Sequence, residues 1–350
     1  MSRATILLCG VLLANPGAPC GSATAVQSDE WPFYGHDAGG MRLSPLTQIN
    51  RANAAGLRVA WTFHTHDVAE RHGHTKRSGF ESTPLVVDGT LYLTTPFNRV
   101  IALDPETGAQ RWSYDPKIEL AGDYGDGLVN RGVATWVDAT RANGRPCRRR
   151  IFEATLDARL VAIDAATGSP CADFGTAGQV SLRNVPRYES GWYHMTSPPA
   201  VVDGVVIVGS AIDDNHRVDM ASGVVRAYDA RTGLLRWSWD PLPPNSSVSI
   251  PAGNVRPQQI PPGSISLGGP IVTAGGLVFI AGTTDSYIRG FDVETGKELW
   301  KALLPASANA TPITYQLRSS GRQYLVIAAG GHPKISEEAL SDAVVAYALP

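Results

Sequence analysis

Four histidines near the N-terminus form two His-x-His pairs that could bind a metal. The pairs are His64 with His66 and His72 with His74. On a β-strand, side chains two positions apart face the same side, so either pair could share a zinc or copper ion. The second pair, however, lies in a basic run that ends in Lys-Arg. A solvated loop is therefore the expected structure here, and metal binding is the alternative.

Two of the four cysteines could form a covalent bond. Cys9 and Cys20 fall in the apolar N-terminal segment, whereas Cys147 and Cys171 lie in the body of the chain. An even pair in an oxidising compartment favours a disulfide, with two free thiols as the alternative. The sequence alone does not show that the two Cα atoms come within bonding range.

Residues 1–25 have the pattern of a secretory signal peptide. Arg3 is followed by an apolar run over 4–14 that is too short to span a bilayer, and Ala23-Thr24-Ala25 fits a cleavage site. We therefore expect residues 26–350 to be exported and to contain no transmembrane segment. A membrane anchor is the alternative.

An internal repeat predicts the strands and turns that position the other candidate site residues. In each copy Asp is followed after four residues by Gly, with Thr before it, and in three copies Trp follows eight residues after the Asp. The second copy has Ala172 at the Trp position. The Asp residues are 60, 65 and 63 residues apart, which is typical of a repeat architecture. They are Asp104, Asp164, Asp229 and Asp292.

Each repeat has the features of a four-stranded antiparallel sheet. The Asp caps a turn, and Thr-Gly supplies the residue with positive φ between two β-rich runs. Upstream hairpins contain Asp88-Gly89, Asp203-Gly204 and Gly275-Gly276. The sequence therefore predicts an all-β fold, a β-propeller of about five blades. The alternative is an open stack of two sandwiches.

Both ends of the chain are predicted to share one blade. Residues 344–347 resemble the third strand of the other units, and the strand that contains Trp61 supplies the fourth. Such a composite blade would tie the ring shut and remove an exposed edge. Residues 241–266 are rich in Pro and Ser and are predicted to form a linker.

The composition excludes several functional classes. The 350 residues carry 30 Lys and Arg against 32 Asp and Glu, a formal net charge of -2, and 43% of them are hydrophobic. This balance gives no electrostatic reason to expect a nucleic-acid partner, and the chain is too apolar to be disordered. No Gly-x-Gly-x-x-Gly motif follows a strand, which argues against a nicotinamide cofactor.

Several segments resemble the quinoprotein dehydrogenases, which use pyrroloquinoline quinone (PQQ), and most of all the membrane-bound quinoprotein glucose dehydrogenases. The resemblance covers nearly all of residues 26–350. It implies periplasmic oxidation of a sugar, polyol or other alcohol by PQQ with Ca²⁺ or Mg²⁺, and a quinone or cytochrome as electron acceptor. The segments are Trp31-Pro-Phe-Tyr34-Gly35, Leu46-Thr-Gln-Ile49-Asn50, Leu267-Gly-Gly-Pro-Ile271, Ala310-Thr-Pro312 and Gly330-Gly-His332.

The resemblance also implies roles for individual residues. Glu81 matches a glutamate that faces the cofactor, and Arg131 matches an arginine that contacts the quinone oxygens. His194 and Thr196 match polar side chains that bind the quinone's carboxylates. Arg, His and hydroxyl donors suit a tricarboxylate, which makes these types appropriate. The structural alternatives are a strand-end contact for Glu81 and an ordinary half-buried histidine at His194.

The metal site and the catalytic base are less complete. Asp214 matches a carboxylate ligand of bound calcium, with Asp213 as the alternative after a shift of one residue. The family's propeller has about eight blades, and about three are missing here between Asp240 and Ser266. That block holds the family's general-base aspartate, a metal-binding asparagine and a lysine at the cofactor. No residue of this sequence matches them, so the catalytic base is unassigned.

Three functions are therefore open. The first is a PQQ-dependent dehydrogenase with a small alcohol or sugar as substrate. The second is a non-catalytic propeller that binds proteins, resembling the cofactor-free repeat scaffold of outer-membrane assembly. The third is an inactive, internally deleted relative. Only the first requires Glu81, Arg131, His194 and Asp214 to lie on one face of the propeller.

Overall fold

The fold is known from a computed structural model, which describes residues 29–68, 78–213, 220–240, 268–282, 285–332 and 340–350. The predicted signal peptide and linker lie outside these residues, as do His72, His74 and Asp214. Within the described ranges, no helix has the length and apolar character needed to cross a membrane.

The regular structure of the described residues is β-strand apart from one 3-10 turn at Ala54–Gly56. The strands are β1 Leu43–Ser44, β2 Arg58–His64, β3 Ser78–Gly79, β4 Leu85–Val87, β5 Thr90–Thr94, β6 Val100–Leu103, β7 Gln110–Tyr114, β8 Leu128–Val129, β9 Ala134–Val137, β10 Arg149–Ala154, β11 Arg159–Asp164, β12 Gln179–Ser181, β13 Tyr193–His194, β14 Ala200–Val202, β15 Val205–Val208, β16 Ala211–Ile212, β17 Val225–Asp229, β18 Leu235–Trp239, β19 Ile271–Thr273, β20 Leu277–Ile280, β21 Tyr287–Asp292, β22 Glu298–Leu303, β23 Ile313–Gln316, β24 Gln323–Ala329 and β25 Ala343–Ala348.

Five antiparallel sheets, each with four strands that pair one after another, make up most of the fold. Sheet 1 is β4-β5-β6-β7, sheet 2 is β9-β10-β11-β12, and sheet 3 is β14-β15-β17-β18. Sheet 4 is β19-β20-β21-β22, with β1 added in parallel beside β19. Sheet 5 is β23-β24-β25-β2. This strand order is that of a propeller blade, so the predicted all-β fold is confirmed.

Sheet 5 joins the two ends of the chain. Strand β2 pairs antiparallel with β25 from Arg58 opposite Ala348 to His64 opposite Ala343. The predicted composite blade is therefore confirmed, and the edge that β25 would otherwise expose is paired.

The repeated turn forms as predicted. In sheet 1, Asp104 Oδ1 accepts hydrogen bonds from the backbone N–H groups of Glu106 and Thr107, each at 3.0 Å. Equivalent bonds recur at the other three repeat aspartates. The hairpin residues Asp88 and Gly89 both have positive φ, as a two-residue hairpin turn requires.

At two of the junctions between sheets, a tryptophan of one sheet packs against the next sheet. Trp61 of sheet 5 lies over Gly108 of sheet 1, where an added Cβ would be 2.6 Å from the ring carbon Cε3. Trp112 of sheet 1 lies in the same way over Gly168 of sheet 2, with a distance of 2.7 Å. Only glycine leaves room for these rings, which explains the Gly of the repeat.

Sheet 2, which lacks the tryptophan, is joined to sheet 3 differently. Val180 packs on Gly233 of sheet 3, where an added Cβ would be 2.8 Å from its Cγ2. Cys147 and Cys171 form a disulfide, with their Cα atoms 5.8 Å apart. This bond ties the loop between β9 and β10 to the segment after β11, close to Ala172.

The hydrophobic core runs through the sheets in the order 4, 5, 1, 2, 3. One cluster of buried residues spans sheets 4, 5 and 1 and reaches into sheet 2, and a second joins sheets 2 and 3. Strands of the inner sheets are buried on both faces, whereas β15, β20 and β21 alternate between buried and half-buried residues. Within the described residues, neither cluster joins sheet 3 to sheet 4, so one face of each is open.

Candidate functional site

Short loops precede the first strand of each sheet, and three of them are joined by backbone hydrogen bonds. The N–H of Thr83, before β4, donates to the carbonyl of Arg131 at 3.0 Å. The N–H of Arg131, before β9, donates to the carbonyl of Thr196 at 2.8 Å. These bonds bring the loops of sheets 1, 2 and 3 together at one end of the first strands, as a propeller site requires.

Three of the residues singled out in the sequence meet at this point. Arg131 donates from Nε to Glu81 Oε2 at 3.0 Å and from Nη1 to Thr196 Oγ1 at 2.7 Å. Glu81 and Thr196 are buried, while Arg131 is about one-third exposed. The arginine is thus held between a carboxylate and a hydroxyl from two other sheets, and part of its guanidinium stays accessible.

Glu81 has a histidine as its second neighbour, which the sequence did not assign to the site. His332 follows β24 of sheet 5, and its Nε2 lies 3.3 Å from Glu81 Oε1. His332 is also buried. The Glu81 carboxylate therefore lies between the side chains of Arg131 and His332.

Asn130 holds the arginine loop against sheet 2. Its Oδ1 accepts the N–H of Gly132 at 3.0 Å, and its Nδ2 donates to the carbonyl of Ala154 at 3.2 Å and to Glu153 Oε1 at 3.4 Å. Burial raises the pKa of the Glu153 carboxyl well above its ordinary range. Burial therefore favours the neutral form of Glu153, which lies beneath the loop that carries Arg131.

A cavity of about 220 Å³ lies beside the Arg131–Glu81 pair. Two of its residues, Arg42 and Asn309, were not identified from the sequence. Asn309 is 6% exposed, and its Nδ2 has no hydrogen-bond partner among the described residues. The cavity is lined by Tyr34, Arg42, Glu81, Arg131, Asn309 and Thr311.

Arg42 brings a second guanidinium to this cavity from the segment before β1. The guanidinium lies 6.0 Å from the ring centroid of Tyr34 and passes Gly269, where any Cβ would overlap it. Among the described residues it makes no ion pair with a carboxylate. A second cavity of about 430 Å³, also lined by Tyr34, Arg42 and Arg131, continues toward 197–201.

The donors around these cavities suit a ligand with carboxylate groups. Two guanidinium groups, an amide N–H without a partner and the hydroxyl of Thr311 can all donate to carboxylate oxygens. Because Asn309 is buried, an unmade hydrogen bond there costs free energy that an acceptor on a ligand would recover. The residues present therefore fit a polycarboxylate such as PQQ.

His194 lies close to this cluster in sequence but has different partners. Strand β13 places it in a buried position, with Nε2 3.4 Å from Asp126 Oδ2 and its ring at an angle to Tyr124. Asp213, just after β16, lies against Gly125 of the same region. The contacts of His194 thus connect it to the 122–127 loop rather than to Arg131.

The structure describes only some of the predicted metal ligands. Asp214 lies outside the described residues, and within those that are described no group of three potential ligands could hold a metal ion. His64 Nδ1 lies 3.1 Å from Asp342 Oδ1, and the N–H of His66 donates to Asp342 Oδ2 at 2.7 Å. This contact between the end of β2 and the residue before β25 supports a structural role for the first His-x-His pair.

The chain is similar to known proteins in both sequence and structure. The family model "PQQ: Glucose/ethanol/alcohol dehydrogenase, beta-propeller domain" matches residues 31–259 and 248–325. The large subunit of glycerol dehydrogenase from Gluconobacter oxydans (strain 621H) is 40% identical over 240 residues, 68% of this chain and 32% of that protein. Quinoprotein glucose dehydrogenase from the same organism is 38% identical over 245 residues, 67% of this chain and 29% of that protein.

A relative with a longer aligned region is the quinate/shikimate dehydrogenase (quinone) of Acinetobacter baylyi (strain ATCC 33305 / BD413 / ADP1). It is 34% identical over 310 residues, 77% of this chain and 37% of that protein. The chain thus spans about a third of the length of these curated relatives. Quinohemoprotein alcohol dehydrogenase from Comamonas testosteroni superposes with a TM-score of 0.71 at 17% identity, over 93% of this chain and 81% of that one, which shows a shared fold.

Proposed function

Because the chain belongs to the PQQ-dependent glucose/ethanol/alcohol dehydrogenase β-propeller family, we propose that it binds PQQ beside Arg131 and oxidises a sugar, polyol or other alcohol. The observation that carries the proposal is the meeting of Glu81, Arg131 and Thr196 from three sheets beside a cavity with unused donors. A scaffold would have no need to hold an arginine in this way.

In this proposal the chain's own residues bind and orient the cofactor. Arg131 and Arg42 bind anionic oxygens of the quinone, and Asn309 and Thr311 donate further hydrogen bonds. Glu81 and Thr196 keep the Arg131 guanidinium in one orientation, so little conformational entropy is lost when the ligand binds. PQQ, once bound, supplies an electrophilic quinone that accepts a hydride from the alcohol.

Several finer parts of the proposal depend on the family resemblance. Asp214, or Asp213 in its place, would supply a carboxylate to Ca²⁺ or Mg²⁺. Export to the periplasm and transfer of electrons to a quinone or cytochrome are proposed with it. The proposal names no catalytic base, because the family's aspartate has no counterpart in this sequence.

Cofactor binding is tested by titrating the purified chain with PQQ and following tryptophan fluorescence. We expect saturable quenching that Arg131→Ala weakens by at least about tenfold, since a charge-assisted hydrogen bond is worth roughly 1.5–3 kcal/mol. Arg318→Ala, a change at a highly exposed side chain on the β23–β24 turn, should leave the affinity unchanged. Absence of saturable binding would remove the proposal.

Turnover is measured separately, with PQQ, Ca²⁺ or Mg²⁺, an artificial electron-accepting dye and a panel of glucose, glycerol, ethanol and quinate. Dye reduction with one of these alcohols supports the dehydrogenase. Saturable PQQ binding without turnover identifies the inactive, internally deleted relative. Neither binding nor turnover favours the protein-binding scaffold, for which the open faces of sheets 3 and 4 would be available.

A further inference from the structure

The contacts between sheets 5 and 1 show how one sheet of this protein recognises the next. Trp61 of sheet 5 lies over Gly108, and its indole N–H donates to the carbonyl of Pro105 at 3.2 Å. Pro105 is the residue directly after the repeat Asp. The ring thus packs against the glycine of the turn, while its N–H binds the carbonyl at the start of the same turn.

Sheets 1 and 2 are joined by the same contact. Trp112 lies over Gly168, and its indole N–H donates to the carbonyl of Ala165 at 3.1 Å. Ala165 again follows the repeat Asp. The contact therefore has two complementary parts, a tryptophan on the last strand of one sheet and an Asp-x-x-Thr-Gly turn on the next.

Sheet 3 carries the tryptophan part without a turn to receive it. Trp237 on β18 is 45% exposed, although the equivalent Trp61 is buried. Trp239, two positions further along the strand, faces the same way and is 60% exposed. These two side chains form an apolar surface that we call the tryptophan end. Large exposed apolar patches of this kind mark interaction sites.

Sheet 4 carries the turn part, and among the described residues no tryptophan of another sheet packs on that turn. A Cβ added at Gly296 would meet no atom within 4 Å, whereas at Gly108 and Gly168 it would meet a tryptophan ring. Val293, the residue after the repeat Asp of this turn, is 46% exposed. We call residues 293–296 the turn end. Among the described residues nothing covers its glycine.

We propose that the tryptophan end of one copy of this chain binds the turn end of a second copy. Trp237 then packs over Gly296 of the other copy, and its indole N–H donates to the carbonyl of Val293. The two ends fit because they are the two parts of a contact that the chain already makes twice within itself. The open faces of sheets 3 and 4 meet in the same interface and bury their apolar side chains.

This contact joins different surfaces of the two copies, so it is heterologous. A dimer formed in this way still has one free tryptophan end and one free turn end. Further copies can therefore bind unless the assembly closes into a ring. The proposal therefore predicts species larger than a dimer as the protein concentration rises. It requires neither PQQ nor a metal ion, so it is tested on the purified chain alone.

Light scattering after size exclusion, over a range of protein concentrations, measures the assembly. We expect Trp237→Ala to weaken it by at least about thirtyfold, because interface tryptophans commonly contribute 2 kcal/mol or more. Gly296→Ala should be as damaging, since the new Cβ would occupy the place of the ring. The matched control is Gly321→Ala, which has a similar positive φ and also no atom within 4 Å. It should assemble like the unchanged chain.

A mixing experiment tests the pairing of the two ends. The Trp237→Ala protein keeps its turn end and the Gly296→Ala protein keeps its tryptophan end, so each should be monomeric alone. Mixed in equal amounts they should form a heterodimer and nothing larger. Circular dichroism checks that both are folded, and Trp239→Glu replaces Trp237→Ala if that variant does not fold.

Four results would overturn the proposal. In the first, the unchanged chain stays monomeric at every concentration reached, and in the second, Trp237 of the monomer is protected from acrylamide quenching because it closes on its own turn end. In the third, neither variant changes the assembly. In the fourth, the two folded variants fail to pair when they are mixed.

Discussion

Arg131 contacts Thr196 twice, through its backbone N–H at 2.8 Å from the carbonyl and through Nη1 at 2.7 Å from Oγ1. The two residues come from sheets 2 and 3 and are 65 positions apart. The double contact fixes both the position of the arginine loop and the direction of its guanidinium. Any ligand held by Arg131 is therefore sensitive to a residue that need not touch it.

The first prediction concerns this positioning role. Thr196→Val keeps the side-chain shape but removes the hydroxyl acceptor, so Arg131 loses one of its two side-chain partners. We expect the dissociation constant for PQQ to rise about tenfold, equal to about 1.4 kcal/mol. Fluorescence titration measures the affinity, and urea unfolding measures stability in parallel.

Thr196→Ser is the matched control, because it keeps the hydroxyl and should restore most of the affinity. A loss of stability without a change in affinity would show that Thr196 has only a structural role. Equal affinities for the Val and Ser variants would contradict the positioning role directly.

The second prediction concerns the contact between sheets 1 and 2. Gly168 has φ +74 and lies under Trp112, so Gly168→Ala adds both backbone strain and a clash. We expect a loss of about 2–5 kcal/mol in the free energy of unfolding. Gly144→Ala has the same backbone strain at φ +76 without a neighbour within 4 Å, and should cost about 1 kcal/mol. Similar losses for both would refute the packing argument.

The third prediction concerns acid stability. Burial alone would raise the pKa of Asp229, but hydrogen bonds from Arg236 and Thr232 lower it, to about 2. In the unfolded chain this carboxyl has a pKa of about 3.9. Its contribution to stability is therefore complete above about pH 4 and is lost as the pH falls toward about 2.

Asp229→Asn should remove this contribution. We expect a loss of about 1 kcal/mol at pH 7 and a flatter decline of stability between about pH 4 and pH 2. Urea unfolding as a function of pH makes the measurement. Asp203→Asn, in a hairpin turn that accepts Asn, is the control. The prediction fails if both variants follow the acid profile of the unchanged chain.

The fourth prediction concerns the buried carboxyl beneath the arginine loop. Because burial raises the pKa of Glu153, the folded chain keeps a proton that the unfolded chain releases above about pH 4.3. Stability should therefore fall as the pH rises above that value. Glu153→Gln keeps an acceptor for Asn130 and has no charge to bury, so it should stabilise the protein at pH 7 by about 1–3 kcal/mol.

The same pH series measures this effect, with the decline above about pH 4.3 reduced in the variant. Glu106→Gln, at an exposed position of the sheet 1 turn, should leave the profile as it is. A Glu153→Gln variant that is less stable than the unchanged chain at pH 7 would mean that the carboxyl is ionised and needed in the fold.

Local features of the fold followed from the sequence because they depend on neighbouring residues. The Asp104 turn uses hydrogen bonds within three residues, and the Asp88-Gly89 hairpin depends on positive φ at adjacent positions. The composite sheet was predictable for a different reason, since a third strand without a fourth at one end matched a fourth without a third at the other. The disulfide between Cys147 and Cys171 was favoured because these two remain as a pair when Cys9 and Cys20 are set aside with the predicted signal peptide.

The site was less accessible to sequence reasoning because its residues are far apart in the chain. Arg42 precedes every repeat, and Asn309 and His332 follow the last one, so no spacing connects them with Glu81. One signal was present for Asn309, whose Ala-Thr-Pro continuation precedes β23 in the way that Ser-Thr-Pro follows Glu81 before β4. The ring of His194 contacts Asp126, a residue that the sequence did not single out, and the role of His194 as a cofactor donor stays a prediction.

The pairing of β2 with β25 also sets the order in which the protein can fold during synthesis. Strand β2 is synthesised before sheets 1 to 4, and its partner β25 is synthesised after them. Until β25 is made, the edge of β2 that pairs with it stays exposed. Sheets 1 to 3 can form from local hairpins as they are made, whereas sheet 5 must wait for β25.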